Sequence, residues 1–179
     1  MKKKPVLITM LGYPGSGKTY FSEHLSNEFN FFHLSFDKIR SEMFDIPVFS
    51  QEEHKKVLNI ADWLVNELLK RNISVIVDAN TNKVIQRQKY FKFATNANAR
   101  YVLVYLKTPI EIAEKRVIKR GKIKNIEKKK YYRPLDLSVI HKMNNEIEIP
   151  NNKEKYIEID GLKNYKEQVK TFKKWYDSK

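Results

Sequence analysis

Apolar positions along the chain fall into short continuous runs separated by stretches of helical spacing. Val6-Leu7-Ile8-Thr9-Met10-Leu11 is a run suited to a strand buried on both faces. Gly12 to Gly17 breaks it, and a helix is predicted from about Lys18 to Phe29. Phe31–Phe36 reads as a second strand, followed by a short helix over about Asp37–Phe44. Ser50-Gln51-Glu52-Glu53 has the form of a capping box. The helix it opens is expected to bury Val57, Ile60, Ala61, Leu64 and Leu68 and to end near Arg71. Strand Ile73–Asp78, helix Lys83–Thr95 and strand Tyr101–Leu106 come next. Thr108-Pro109-Ile110-Glu111 reads as a second capping box with proline at the first helical position. A helix after Asp136, a strand at Tyr156–Ile159 and a helix after Asn164 complete the pattern. Asn80 and Thr81 are placed to cap the helix after the third strand, and Phe29, Phe31 and Phe32 read as core. Strands alternating with helices imply a parallel sheet covered on both faces.

Length and composition alter this picture little. The 179 residues, 41% of them apolar, suit one domain spanning 1–179. No run is long enough to cross a bilayer. The Met1–Leu11 start, three lysines and then apolar residues, leads into a glycine-rich loop rather than a cleavage site. Cysteine is absent, which removes disulfides, thiolate metal ligands and a thiol nucleophile. A cytoplasmic location is the expectation.

Charge changes it more. The net charge is +14, and Lys115–Arg133 holds ten bases against the single acid Glu127, so this segment carries nine of those charges. A polyanionic partner is one explanation; lysine-rich composition bias is the other. Tyr131 and Tyr132 beside the lysines could stack on bases or pack a hinge.

The most specific chemistry lies in Gly12-Tyr13-Pro14-Gly15-Ser16-Gly17-Lys18-Thr19, which fits G-x-x-x-x-G-K-[ST] between a buried strand and a helix start. Glycines let backbone N–H groups turn inward onto phosphate oxygens, and the helix N-terminus adds its positive dipole end. The expected nucleotide contacts run from Gly12 to Tyr20, with Lys18 on the β- and γ-phosphates and the Thr19 hydroxyl on Mg²⁺. ATP and Mg²⁺ are the expected ligands.

Other candidates gain meaning from position. Asp37 follows the second strand at the sheet edge where ligands gather in α/β folds, and could act as a base or cap its helix. Arg40 lies one turn further along. Asp78 ends the third strand and is a candidate for the Mg²⁺ shell. Arg116 and Arg120 share a helix face, and arginine forks suit phosphates. The four histidines show no metal spacing.

Three of these segments, with the loop, resemble the small P-loop kinases, most closely the kinase domain of phage-type polynucleotide kinases. They are Asp37-Lys38-Ile39-Arg40, like that family's Asp-x-x-Arg; Val77-Asp78-Ala79-Asn80; and Arg116 to Gly121, like its Arg-x-x-x-Arg-Gly lid. Pro134-Leu135-Asp136 and a helix then follow, as in the family. The resemblance implies Asp37 as general base, Arg40 on the acceptor and Arg120, supported by Arg116, as lid arginine. Arg87, Lys128, Lys129 and Lys130 become candidate acceptor contacts, and the basic lid spans about 116–133. Two departures stand out: Lys38 replaces a second acid, and Glu158-Ile159-Asp160-Gly161-Leu162 only echoes a phosphatase motif and reads as a strand end and turn.

The expectation is therefore a three-layer α/β P-loop kinase fold with about five parallel strands in the order 2-3-1-4-5. The expected function is ATP-dependent phosphorylation of an acceptor hydroxyl, first the 5′-hydroxyl of RNA or DNA. A small-molecule kinase acting on a nucleoside, sugar or antibiotic hydroxyl is the alternative, and a nucleotide-gated RNA-binding module the third.

Overall fold

A computed structural model describes residues 3–79, 81–121 and 137–178. Five parallel strands form one sheet in the order β2-β3-β1-β4-β5: β1 (Val6–Leu11), β2 (Phe32–Ser35), β3 (Val75–Asp78), β4 (Arg100–Lys107) and β5 (Tyr156–Asp160). The helices are α1 (Lys18–Phe29), α2 (Phe36–Met43), α3 (Gln51–Lys70), α4 (Val84–Asn96), α5 (Ile110–Gly121), α6 (Leu137–Asn145) and α7 (Tyr165–Asp177). No helix among the described residues is long and apolar enough to cross a membrane.

The central strand explains the layering. β1 pairs with β3 on one side, Thr9 opposite Val77, and with β4 on the other, Thr9 opposite Leu103. All six of its residues are buried. Side chains alternate across a strand, so Val6, Ile8 and Met10 face a core with Phe21 and Leu25 of α1 and Val169 and Phe172 of α7. Leu7 faces the opposite core, with Ala61, Val65 and Leu69 of α3 and Tyr90 and Ala94 of α4.

Several local expectations are corrected by packing. The buried stripe of α3 is Glu53, Val57, Ala61, Val65 and Leu69. Leu64 and Leu68 pack only at its margin, and Ile60 is exposed. Phe31 is buried and Phe29 packs against it, but Phe32 is exposed because it opens an edge strand with neighbours on one side only. Thr81 does not cap α4. Its hydroxyl donates to Met10 O at 2.8 Å, and the Lys83 N–H at the helix start donates to Gln86 Oε1 at 3.0 Å. The Glu158–Leu162 segment is the end of β5 and a turn, with Leu162 N–H on Asp160 Oδ1 at 2.9 Å.

Helix α7 is joined to the sheet by an aromatic cluster. Phe172 is fully buried and its ring lies 5.3 Å from Phe29 and 5.7 Å from Tyr176, centroid to centroid. Phe172→Ala is expected to cost about 3–5 kcal/mol, the usual range for an aromatic core truncation. Urea unfolding of the two proteins checks this; a loss under about 1 kcal/mol would show that α7 is not part of the cooperative core.

Candidate active site

The C-terminal ends of β1, β2 and β3 deliver the loop after Leu11, the start of α2 and Asp78 to one edge of the sheet, the place where open α/β sheets bind ligands. There the loop after β1 bends back onto α1. Gly15 has φ 85°, and a Cβ at that position would collide with the Ala113 carbonyl of α5. Gly17, φ 104°, is the N-cap of α1 and supplies no side-chain cap. The first N–H groups of a helix have no intrahelical partner, so this end is left for an anion. Lys18 Nζ donates to Gly12 O at 2.7 Å and Tyr13 O at 3.0 Å, which holds the ammonium over the loop. Thr108 does not serve as a capping residue; its hydroxyl donates to Ser16 O at 3.1 Å and fastens the loop from below.

In front of the loop lies a cleft of about 1140 Å³. Its walls bring together the loop residues Pro14–Tyr20, Asp37, Arg40, Asp78, Arg116 and Arg120. These charges feel one another. Burial, with the Arg120 charge, brings the Lys18 ammonium down to about 8 against the opposing pull of Asp78 and Asp37. Burial, and next the Asp78 charge, raises the Asp37 carboxyl above the ordinary aspartate range, while Arg40 and Lys18 pull it down. A carboxylate held this way is a competent base at neutral pH.

Asp78 is buried, and its Oδ2 lies 3.0 Å from His33 Nε2 on the neighbouring strand. A histidine proton on Nε2 fixes that oxygen and orients the carboxylate. Among the described residues no three His, Cys, Asp or Glu side chains are placed to cage a metal. Mg²⁺ needs no cage, since it is commonly held by one or two carboxylates with water and substrate phosphate. Thr19 and Asp78 both line the cleft and fit that pattern.

The two α5 arginines differ. Arg120 lines the cleft and couples to Lys18. Arg116 also lines it, but its Nη1 donates to Gly161 O at 3.0 Å, tying α5 to the turn after β5. Arg40 is 6% exposed and stands 3.5 Å from Glu53 Oε2, yet its Nε and Nη1 make no hydrogen bond.

Arg87 is not at the site. It is 1% exposed, its Nε and Nη2 fork onto both oxygens of Glu154 at 2.6 and 2.8 Å, and its Nη1 donates to the carbonyls of Thr81 and Asn82. The helical position that suggested acceptor contact faces inward, where the guanidinium braces α4 against the segment before β5. Asn80, Lys128, Lys129, Lys130, Tyr131 and Tyr132 lie outside the described residues.

Two site residues escaped the sequence reading. His33 carried no signal beyond a polar residue in an apolar strand. Glu53 was read as half of a capping box. Ser50 Oγ does accept from Glu53 N–H at 3.2 Å, but the Glu53 carboxylate takes the N–H groups of Val48 and Phe49 instead of Ser50.

Residues 7–148 match the family described as AAA domain. The chain is 31% identical over 137 residues to L-seryl-tRNA(Sec) kinase of Methanococcus maripaludis, across 73% of this chain and 52% of that protein. It thus spans about half the length of that curated relative. Among solved structures it is similar to a putative kinase from Chloroflexus aurantiacus, with TM-score 0.73, 17% identity and 99% of both chains covered. It is also similar to a chain of the Pnkp1/Rnl/Hen1 RNA repair complex, with TM-score 0.68, 24% identity and 82% of this chain and 45% of that one covered. At these identities the two structures share the fold.

Arg87→Met leaves the half-buried Glu154 and the carbonyls of Thr81 and Asn82 without their donor and is expected to destabilise by about 3 kcal/mol, with the acceptor KM unchanged in the folded fraction. Denaturation and steady-state kinetics check this together; a raised KM in a stable protein would return Arg87 to the site.

The direction of the Asp37 shift gives a pH profile. A base at Asp37 would work deprotonated, so kcat/KM should then fall on acidification at a pH above the ordinary aspartate range. Arg40→Met removes a charge that favours the carboxylate, so Asp37 should hold its proton to still higher pH and the acid limb should move up. An acid limb at the same pH in both proteins would show that another group controls it.

Proposed function

The chain belongs to the AAA domain family matched over residues 7–148, and on that premise we propose that it is an ATP-dependent kinase whose acceptor hydroxyl is carried by a nucleic acid. The observation that carries the proposal is the pairing in one cleft of Asp37, a carboxyl raised above its ordinary range and electrostatically coupled to Lys18, with Arg40, a buried cation whose Nε and Nη1 make no hydrogen bond and whose ion pair with Glu53 is long, at 3.5 Å. A binding module has no use for a base in that position. An acceptor bearing phosphate would take up the hydrogen-bonding capacity of the guanidinium that the Glu53 pair leaves unused; a neutral acceptor offers it no charge.

ATP with Mg²⁺ supplies the phosphoryl group and the charge neutralisation of the reaction. The loop N–H groups and Lys18 hold the phosphates, and Thr19 and Asp78 hold the metal. Asp37 orients the acceptor hydroxyl and takes its proton as the oxygen–phosphorus bond forms and the bond to the leaving diphosphate breaks. Arg120 offsets the negative charge that spreads over the transferring group.

The 5′-hydroxyl of RNA or DNA is the first acceptor. A seryl hydroxyl on tRNA is the second, favoured by the 31% identity to L-seryl-tRNA(Sec) kinase. The basic Lys115–Arg133 segment suits either.

The test is transfer of labelled γ-phosphate to 5′-hydroxyl oligonucleotides, seryl-tRNA, nucleosides and sugars. Nucleic-acid acceptors should be phosphorylated with a log K that falls against log salt by about 0.7 per phosphate neutralised on a single strand. Replacing Lys128, Lys129 and Lys130 with glutamine should flatten that slope by as much as roughly two units. Asp37→Asn should keep ATP affinity and lose about 100-fold or more in rate. Efficient transfer to a sugar or nucleoside, with no salt-sensitive oligonucleotide binding, would replace this reading with the small-molecule one.

A further inference from the structure

Phe49 stands in an unusual conformation. Its φ is 59°, a left-handed backbone that bulky residues avoid because of the Cβ clash. Such strain persists only where the surroundings over-determine it. Here the cause is Glu53. One carboxylate accepts Val48 N–H at 2.9 Å and Phe49 N–H at 2.7 Å, while its own N–H is fixed on Ser50 Oγ at 3.2 Å. The left-handed residue is the second of these two donors, immediately before the Ser50 N-cap of α3, so both sides of it are tied to Glu53.

The consequence is a placed ring. The Arg40 guanidinium lies 4.9 Å from the Phe49 ring centroid, and both residues line the cleft on the Asp37 side. Phe49 is nevertheless 42% exposed. A ring recruited only to cover Arg40 would gain by burying its remaining surface, and an ordinary extended backbone would be unstrained. His54, Leu58 and Tyr90 line the cleft beyond it.

We propose that Phe49 is a stacking platform for the nucleobase adjoining the acceptor hydroxyl, so that the site recognises a nucleoside end rather than a hydroxyl alone. This rests on the nucleic-acid acceptor reading above. A flat π-surface beside a buried cation with hydrogen-bonding capacity left over from its Glu53 pair matches a ligand that joins a planar ring to an anion within one nucleotide. Stacking on an aromatic side chain accepts any base, so Phe49 selects for the presence of a base and not for its identity. Phe49 touches the acceptor without touching the reacting atoms, and its effect belongs in KM.

The experiment uses two oligonucleotides with a 5′-hydroxyl, identical except that one carries a base at its first nucleotide and the other an abasic tetrahydrofuran. The wild-type protein should favour the base-bearing end in kcat/KM, chiefly through KM, on the order of tenfold, a ratio within the range for one stacked base. Phe49→Leu should bring the base-bearing end down to the level of the abasic one, and Phe49→Trp should restore the preference. ATP binding measured directly on each variant reports whether the fold is intact. Should Phe49→Leu perturb folding, Phe49→Trp against wild type still reads the preference on two folded proteins. Equal transfer to both ends by the wild type, or a preference undiminished in Phe49→Leu, overturns the platform and leaves the kinase reading standing. No transfer to either oligonucleotide, with ATP binding intact, overturns the polynucleotide reading and the platform with it.

Discussion

The first turn of α1 is the constraint around which the rest is arranged. Its N–H groups have no intrahelical partners, and its N-cap is a left-handed glycine with no side chain to offer. A helix end left so is unfavourable in isolation and favourable only toward an anion. The neighbours keep it open. Helix α5 comes so close that only glycine fits at position 15, Thr108 fastens the Ser16 carbonyl, and Lys18 is held across the loop by two carbonyl oxygens. Part of the site's positive field is therefore built into backbone geometry, and the side chains of Lys18 and Arg120 add to it.

That field sets the chemistry of the groups facing it. Asp37, Asp78, Lys18 and Arg120 share one cleft, where their charges act on one another. Burial lowers Lys18 and raises Asp37, and the attraction between the two opposes both shifts. His33 enters from the adjacent strand to fix one oxygen of Asp78. None of these residues is adjacent in sequence, and the parallel sheet is what aligns them, since each strand ends at the same edge.

A second tier of buried charges shapes the acceptor side without chemistry of its own. Glu53 governs the turn before α3 through two backbone N–H groups and stands beside Arg40. Arg87 and Glu154 brace α4 against the segment before β5. Buried pairs of this kind cost desolvation energy and return it as fixed geometry. In this fold they lie behind the elements that line the cleft, Glu53 beside Arg40 and Arg87 on α4.

Much of the architecture was legible in the sequence because it is local. The apolar run of β1, the glycine-rich loop and the start of α1 declare themselves by spacing, and the strand order came with the fold that the resemblance to the small P-loop kinases implies. The loop lysine and threonine, Asp37 and Asp78 could be named from motif and position, because each sits at a strand end where the chain must turn. What the sequence left open depends on which way a side chain points after the helices dock. Arg87 and Arg120 are both helical arginines, and only packing turned one inward onto Glu154 and the other toward Lys18. Glu53 and Ser50 satisfy a local capping pattern, but the tertiary approach of Arg40 and the turn at Phe49 redirected the carboxylate. His33 meets Asp78 across 45 residues, through strand pairing alone. Periodicity encodes which face of an element is apolar; it carries no information about the partner across the gap, and that partner is what decides whether a polar residue braces the fold or serves the site.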